Sequence, residues 1–165
     1  MIERDTRHWH NDPTLKQTTM PTLTGHDPEE KRQEILRYFR QTYAIDTALY
    51  ETLRFEESFY LRADPLRHPL IFYYGHTAAF YVNKLTVARL IDQRITPHFE
   101  SMFAIGVDEM SWDDLNEAHY DWPTVPEVDH YRQQVKTRVE TLIETLPLEL
   151  PISWGSPWWA VMMAI

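Results

Sequence analysis

The sequence contains no cysteine, which excludes disulfide bonds, cysteine-ligated zinc and a cysteine nucleophile. Any metal site in this chain must therefore use histidine or carboxylate ligands. Glycine is scarce, with four residues in 165, and no glycine-rich phosphate loop is present. Basic residues are fewer than acidic ones, 16 against 25, and the formal net charge of −9 argues against a nucleic-acid partner.

Long apolar runs are absent as well. No segment approaches the roughly 18 apolar residues of a membrane span, and the polar N-terminus lacks the apolar stretch of a secretory signal. We therefore expect a cytoplasmic protein that does not enter a membrane. The chain does have 43% hydrophobic and 13% aromatic residues, which is enough apolar material for one compact domain.

The helix signals predict an all-α fold in two parts. Residues 1–26 are rich in Thr, Pro and charge and predict an extended N-terminal arm, whereas residues 27–165 predict a helical bundle. The expected helices are a first from Asp27 to about Leu53, a second from Asp64–Pro65 to about Ile91, and a third from the capping box at Thr124 to Pro147. Between the second and third we expect an ordered loop with short helical pieces.

Apolar residues recur at helical spacing in the first and third helices and predict their buried faces. They are Ile35, Leu36, Phe39, Tyr43, Leu49 and Leu53 in the first, and Val128, Tyr131, Val135, Val139, Leu142 and Ile143 in the third.

The last residues predict the start of a fourth helix. Ser156 and Pro157 form a good cap and first turn, and the almost wholly apolar segment that follows stops at Ile165 without a C-cap or a basic last turn. The expected fold is therefore an up-down four-helix bundle truncated in its fourth helix.

The second helix carries the one polar arrangement that suggests a site. His76 and Asn83 fall at helical spacing on a face with Phe72, Ala79, Phe80, Val87 and Leu90, and we expect both polar side chains to point into the bundle. Gly75 would allow another backbone to approach closely. Spacing alone leaves two alternatives open, a buried histidine satisfied by a hydrogen bond, which is the commoner case, and a metal ligand.

The sequence does not supply an obvious ligand set around His76. No His-x-x-x-His pair is present, and His68 is expected to face solvent near the start of the helix. An acidic run at 106–123 contains six carboxylates and His119 in eighteen residues, but it lacks the alternating ligands and central glycine of a calcium loop. We interpret it as solvated acids, helix caps and Trp anchors.

Two long segments carry a resemblance to a known family. Residues 59–81 read FYLRADPLRHPLIFYYGHTAAFY, and residues 99–114 read FESMFAIGVDEMSWDD. From about residue 28 onward the chain resembles the N-terminal part of the 5-histidylcysteine sulfoxide synthases of ovothiol biosynthesis. The resemblance implies a DinB-like four-helix bundle, joined in the complete enzyme to a further C-terminal domain that is missing here.

The resemblance also implies an activity. Enzymes of this family use non-haem iron, Fe(II), held by three histidines, and O2 to couple the sulfur of cysteine to the imidazole of histidine as a sulfoxide. His76 matches the first ligand, and the other two form a His-x-x-x-His pair just after a segment like 158–163, which places them beyond Ile165. With one ligand of three, the chain itself is expected to be inactive.

Other assignments remain open. The loop at 97–103 contains no Arg or Lys, so the substrate-contacting residues of the related ergothioneine-type synthases cannot be transferred, and the substrate-binding residues stay unknown. Asn83 is a guess for a residue that supports the ligand. The alternatives are an ergothioneine-type synthase fragment and a non-catalytic DinB-like binding module.

Overall fold

The computed structural model describes Arg4 and residues 19–106 and 121–165. Within these ranges the secondary structure is helical and no strand is formed, which confirms the all-α prediction. The α-helices are Pro28–Glu51 (α1), Leu70–Val87 (α2), Pro97–Met102 (α3), Val125–Thr145 (α4) and Pro157–Ala164 (α5), with a short 3₁₀ helix at Glu56–Phe59. None of the helices in the described ranges combines the length and apolarity that a membrane span requires.

Helix α2 is the central element of the bundle. It packs against α3, α4 and α5, and α1 packs along α4. Its residues are apolar on more than one side, as a helix surrounded by others requires. Those with no exposed surface are Ile71, Phe72, Ala78, Val82 and Leu85.

Helix α1 begins as predicted. The Asp27 carboxylate accepts hydrogen bonds from the backbone N–H groups of Glu29 (2.7 Å) and Glu30 (2.9 Å), which would otherwise lack partners. Of the α1 residues predicted to face the core, the first four are buried. Leu49 is instead 59% exposed, and the neighbouring Ala48 is buried in its place. The helix ends at Glu51, before the periodic pattern does.

The predicted start of the second helix at Asp64–Pro65 is wrong, because the helix begins only at Leu70. The Asp64 carboxylate instead accepts from the N–H of Leu66 (2.7 Å), and its carbonyl accepts from Arg67, which closes a turn. Pro69 then occupies the N-cap, where its ring disfavours helical geometry at the preceding residue.

Helix α2 also ends earlier than predicted, at Val87. Arg89 adopts the left-handed conformation (φ 59°), and the N–H groups of Arg89 and Leu90 bond the carbonyls of Thr86 and Leu85. This is a Schellman termination, with arginine at the position that glycine usually takes. Val87 consequently lies at the end of the helix and is 83% exposed, so its predicted place on the inward face is wrong.

Helix α4 shows the predicted capping box. The Thr124 hydroxyl accepts from the N–H of Glu127, and the Glu127 carboxylate accepts from the N–H of Thr124 (2.7 Å). At its other end the guanidinium of Arg32 donates to the carbonyls of Leu146 (2.8 Å) and Ile143. The α1 side chain therefore satisfies carbonyls that the helix leaves without partners.

Helix α5 is anchored by Trp158, which is fully buried and donates its indole N–H to the carbonyl of Pro147 (2.8 Å). Ser156 caps the helix through the N–H of Trp158. The Arg32 guanidinium also lies 5.5 Å from the indole ring centre, so one arginine contacts both α4 and α5.

Part of the predicted N-terminal arm lies outside the described residues. Residues 19–26 form no helix, and the Leu23 carbonyl accepts from the N–H of Ile152 (2.8 Å). Arg4 bonds the carbonyls of Arg54 and Tyr50 and lies 4.9 Å over the ring of Phe59.

Candidate functional site

His76 lies where the middle of α2 meets the end of α3. Its side chain is half-buried, so the imidazole is neither sealed in the core nor free on the surface. Its Nδ1 atom lies 2.7 Å from the carbonyl oxygen of Phe103, the residue that ends α3. Because a carbonyl oxygen only accepts, Nδ1 must carry the proton, and Nε2 of the neutral ring then holds the lone pair.

The plane of the imidazole is fixed by an aromatic neighbour. The ring of Phe72, one helical turn earlier, lies 5.5 Å from it with an interplanar angle of 10°. Phe72 has no exposed surface and is itself held by Trp122 and Phe103. The arrangement of a fixed ring with one nitrogen on a carbonyl is typical of metal-ligating histidines, which donate their other N–H to such a group.

Gly75 makes this contact possible. A Cβ atom at this position would lie 2.3 Å from Cε2 and Cζ of Phe103, far inside any real contact distance. A buried aromatic ring therefore occupies the space that the glycine leaves. We expected a backbone at this place, and the close approach is instead that of a side chain.

Asn83 lies two turns along α2, about 10 Å from His76 along the helix axis. Its amide Nδ2 donates to the carbonyl of Glu100 in α3 (2.9 Å), and its Oδ1 is buried without a hydrogen-bond partner among the described residues. Asn83 therefore does not bond His76, but it fastens to α2 the same short helix whose final carbonyl accepts from His76.

Glu100 stabilises that short helix from within. It has no exposed surface, and its Oε1 accepts from the N–H groups of Ile95 (2.8 Å) and Thr96 (3.0 Å) at the start of α3. Its second oxygen lies 3.7 Å from the Arg94 guanidinium. The position of α3, and with it that of the Phe103 carbonyl, is thus set by buried polar contacts.

His68 does not face solvent as expected. It is 7% exposed, stacks on Phe72 at 4.1 Å, and has Nε2 3.2 Å from the carbonyl of Ile105. The expectation failed because it extended the helix back to residue 64 and so assigned His68 to an exposed helix face. Phe72 consequently lies between two imidazole rings, those of His68 and His76.

A buried arginine behind α2 was not predicted. Arg132 of α4 is 2% exposed and donates to Asp46 (2.7 Å), Thr47 (3.0 Å) and Thr77 (2.7 Å) and to the carbonyl of Tyr74 (2.6 Å). Its position four residues after Val128 and three before Val135 was the signal that it faces the core. The residues it binds in α2 flank His76 in sequence, so it fixes the turn that carries the imidazole.

Four tyrosines surround this arginine. Burial raises the pKa of Tyr50 and Tyr81 to about 12, with the charge of Asp46 adding to the effect and Arg132 opposing it. Burial likewise raises the pKa values of Tyr43 and Tyr74. Burial lowers the pKa of Arg132, but Tyr43, Asp46 and Tyr74 raise it by more, so the guanidinium stays charged.

Two predictions about the site depend on which residues the structure describes. Most of the acidic run, residues 107–120, lies outside the described residues, so its interpretation as solvated acids stays a prediction. Within residues 19–106 and 121–165, no three His, Asp or Glu side chains are grouped to hold a metal ion.

No family model matches the chain, and a search of curated proteins finds no relative of it.

Proposed function

We propose that this chain is the N-terminal part of a non-haem iron enzyme that uses O2 to couple the sulfur of cysteine to the imidazole of histidine as a sulfoxide. The proposal rests on the likeness of residues 59–81 and 99–114 to the 5-histidylcysteine sulfoxide synthases. It includes a DinB-like up-down arrangement of the bundle and a cytoplasmic location.

The structural observation that supports the proposal is the hydrogen bond and the ring orientation of His76. The Phe103 carbonyl accepts a hydrogen bond from Nδ1–H and Phe72 fixes the ring plane, so Nε2 presents a lone pair in a defined direction. A ferrous ion bound there would activate O2, which is the oxidant that joining sulfur to carbon requires. The chain contributes an oriented imidazole packed against the buried ring of Phe72.

The family pattern places the other two ligands after the segment that 158–163 resembles. A His-x-x-x-His pair within about ten residues of Ile165, roughly three helical turns, would put both on a continued α5. That helix packs directly on α2, the helix that carries His76. Reading the gene beyond the codon for Ile165 tests this directly, and a stop codon there would favour the non-catalytic binding module.

Iron content provides the biochemical test. In the protein encoded by the whole gene, His76→Ala should lower iron affinity by more than about tenfold, because even the groups that support metal ligands are worth about 10–100-fold. His130→Ala is the matched control, since His130 is exposed on α4. Equal iron in both variants would contradict the role of His76.

Product analysis separates the two reactions. The whole protein, supplied with iron, O2, cysteine and histidine, should form the sulfoxide of 5-histidylcysteine. Turnover only when a histidine betaine replaces histidine would indicate the ergothioneine-type reaction instead.

A further inference from the structure

The interior of α2 contains a glycine that the backbone does not require. Gly75 lies five residues into a regular helix, where glycine is less favourable than alanine by about 1 kcal/mol. Its backbone needs no left-handed conformation, because only Gly106 among the described glycines has a positive φ. The cost must therefore be offset by what the missing Cβ permits.

The missing Cβ leaves the space that the Phe103 ring occupies. The Phe103 ring has no exposed surface, and it lies 6.4 Å from Trp122 and 5.5 Å from Phe99, centre to centre. These neighbours leave it little room to move away from α2. Since an alanine Cβ would lie 2.3 Å from two ring atoms, the Phe103 ring would have to move, and with Trp122 and Phe99 beside it we expect the backbone of residue 103 to move with it.

The carbonyl oxygen of this same residue accepts a hydrogen bond from Nδ1–H of His76, with 2.7 Å between nitrogen and oxygen. A shift of about 1 Å, which is what the clash demands, would stretch this hydrogen bond beyond its effective range. An isolated neutral histidine favours the opposite tautomer, with the proton on Nε2. The proton position in His76 therefore depends on where Phe103 sits.

We propose that Gly75 and Phe103 act as positioning residues that hold His76 in the Nδ1–H tautomer, with Nε2 kept as the electron-pair donor to a divalent metal ion. The role of Nε2 as a metal donor rests on the proposed function. The selection of the tautomer is independent of the proposed function, because it follows from contacts within the metal-free chain. Neither residue is assigned as a metal ligand, and both act through His76.

The tautomer is measured by ¹⁵N NMR of the imidazole nitrogens in the metal-free chain, at a pH of about 8.5, where ordinary histidines are neutral. His76→Gln identifies the signals. The wild-type ring should show a protonated Nδ1 and an unprotonated Nε2. Gly75→Ala should shift the tautomer ratio about tenfold toward Nε2–H, the equivalent of one net hydrogen bond.

Two further variants control for general disturbance. Gly155→Ala introduces the same methyl group where nothing lies within 4 Å, and it should leave the His76 signals unchanged. Adding Phe103→Val to Gly75→Ala removes all three clashing atoms, Cδ2, Cε2 and Cζ, but keeps the carbonyl, so this double variant should recover the Nδ1–H form. If Gly75→Ala alone fails to fold, the double variant still tests whether the His76 tautomer follows the position of residue 103.

Three results would overturn the inference. They are a wild-type ring protonated on Nε2, a folded Gly75→Ala variant with the wild-type tautomer ratio, and a folded double variant that remains in the Nε2–H form. Iron retention is measured separately in the protein from the whole gene. An Nδ1–H ring together with a whole protein that retains no iron would refute the proposed function alone.

Discussion

Arg132 places a positive charge inside the bundle, and this charge is compensated by a defined set of partners. It contacts α1 through Asp46 and Thr47 and α2 through Thr77 and the Tyr74 carbonyl. Such an arrangement contributes specificity more than net stability, because burying the charge costs nearly as much as the contacts return. Removing the arginine nevertheless leaves its partners without a donor.

Arg132→Ala should lower the free energy of unfolding by about 3 kcal/mol, since Asp46 and the Tyr74 carbonyl lose a buried partner. Urea unfolding followed by circular dichroism measures this change. Arg138→Ala, at an exposed position of the same helix, should stay within about 0.5 kcal/mol of the wild type. Similar values for the two variants would show that the buried contacts carry no stability.

The tyrosines around Arg132 make the fold sensitive to alkali. Tyr81 has a folded-state pKa of about 12, against about 10 in an unfolded chain. Folding therefore favours the protonated phenol, and its contribution is complete below pH 10 and is lost as the pH rises toward 12. In urea titrations across this window, Tyr81→Phe should show a smaller loss of stability than the wild type. An unchanged slope would exclude Tyr81 as a cause.

At the scale of the elements, caps determine where helices begin. The Thr124 capping box satisfies donors at the start of α4, so Thr124→Ala should destabilise the protein by about 1 kcal/mol. Thr137→Ala is the control, because Thr137 lies exposed within the same helix and its hydroxyl donates to the Gln133 carbonyl one turn earlier. Thermal unfolding should separate the two variants, and a larger effect at Thr137 would contradict the assignment.

Trp158 is the largest of the buried side chains that attach helix α5. Trp158→Ala should cost about 3–5 kcal/mol, because it empties a fully buried site and removes the bond to the Pro147 carbonyl. Trp154→Ala removes an indole that is 78% exposed and should cost less than about 1 kcal/mol. Near-equal losses would mean that α5 is held by other contacts.

The helix boundaries show how far the sequence determines the fold. Asp27, Thr124 and Ser156 are local signals, and each was found where predicted. The start of α2 was missed because Asp64–Pro65 satisfies the same local pattern, whereas Asp64 closes a turn there and the helix begins only after Pro69. Local chemistry allowed two starts, and Pro69, which disfavours helical geometry at the residue before it, marks the one that is observed.

The sequence predicted the candidate site only in part. Helical spacing singled out His76 and Asn83, but their partners are backbone carbonyls of Phe103 and Glu100. Every residue has a carbonyl, so no residue type marks the one that accepts. Gly75 was the only indication in the sequence that something approaches α2 at this turn.

At the scale of the whole molecule, α2 is the element with neighbours on most sides. Its amides should therefore be the slowest to exchange with deuterium, with Ala78, Ala79 and Val82 close to the global unfolding limit. Residues 92–94 are exposed in the turn that follows and should exchange fastest among the described loops. Earlier exchange in α2 than in α4 would contradict this order.

The position of Phe72 between two imidazoles has a spectroscopic consequence. The circulating electrons of a benzene ring shield nuclei above and below its plane, and His68 and His76 lie on its faces at 4.1 and 5.5 Å. Their carbon-bound protons should therefore resonate upfield of those of the exposed histidines. A simple proton spectrum would then report any rearrangement at this stack, with no label and no added ligand.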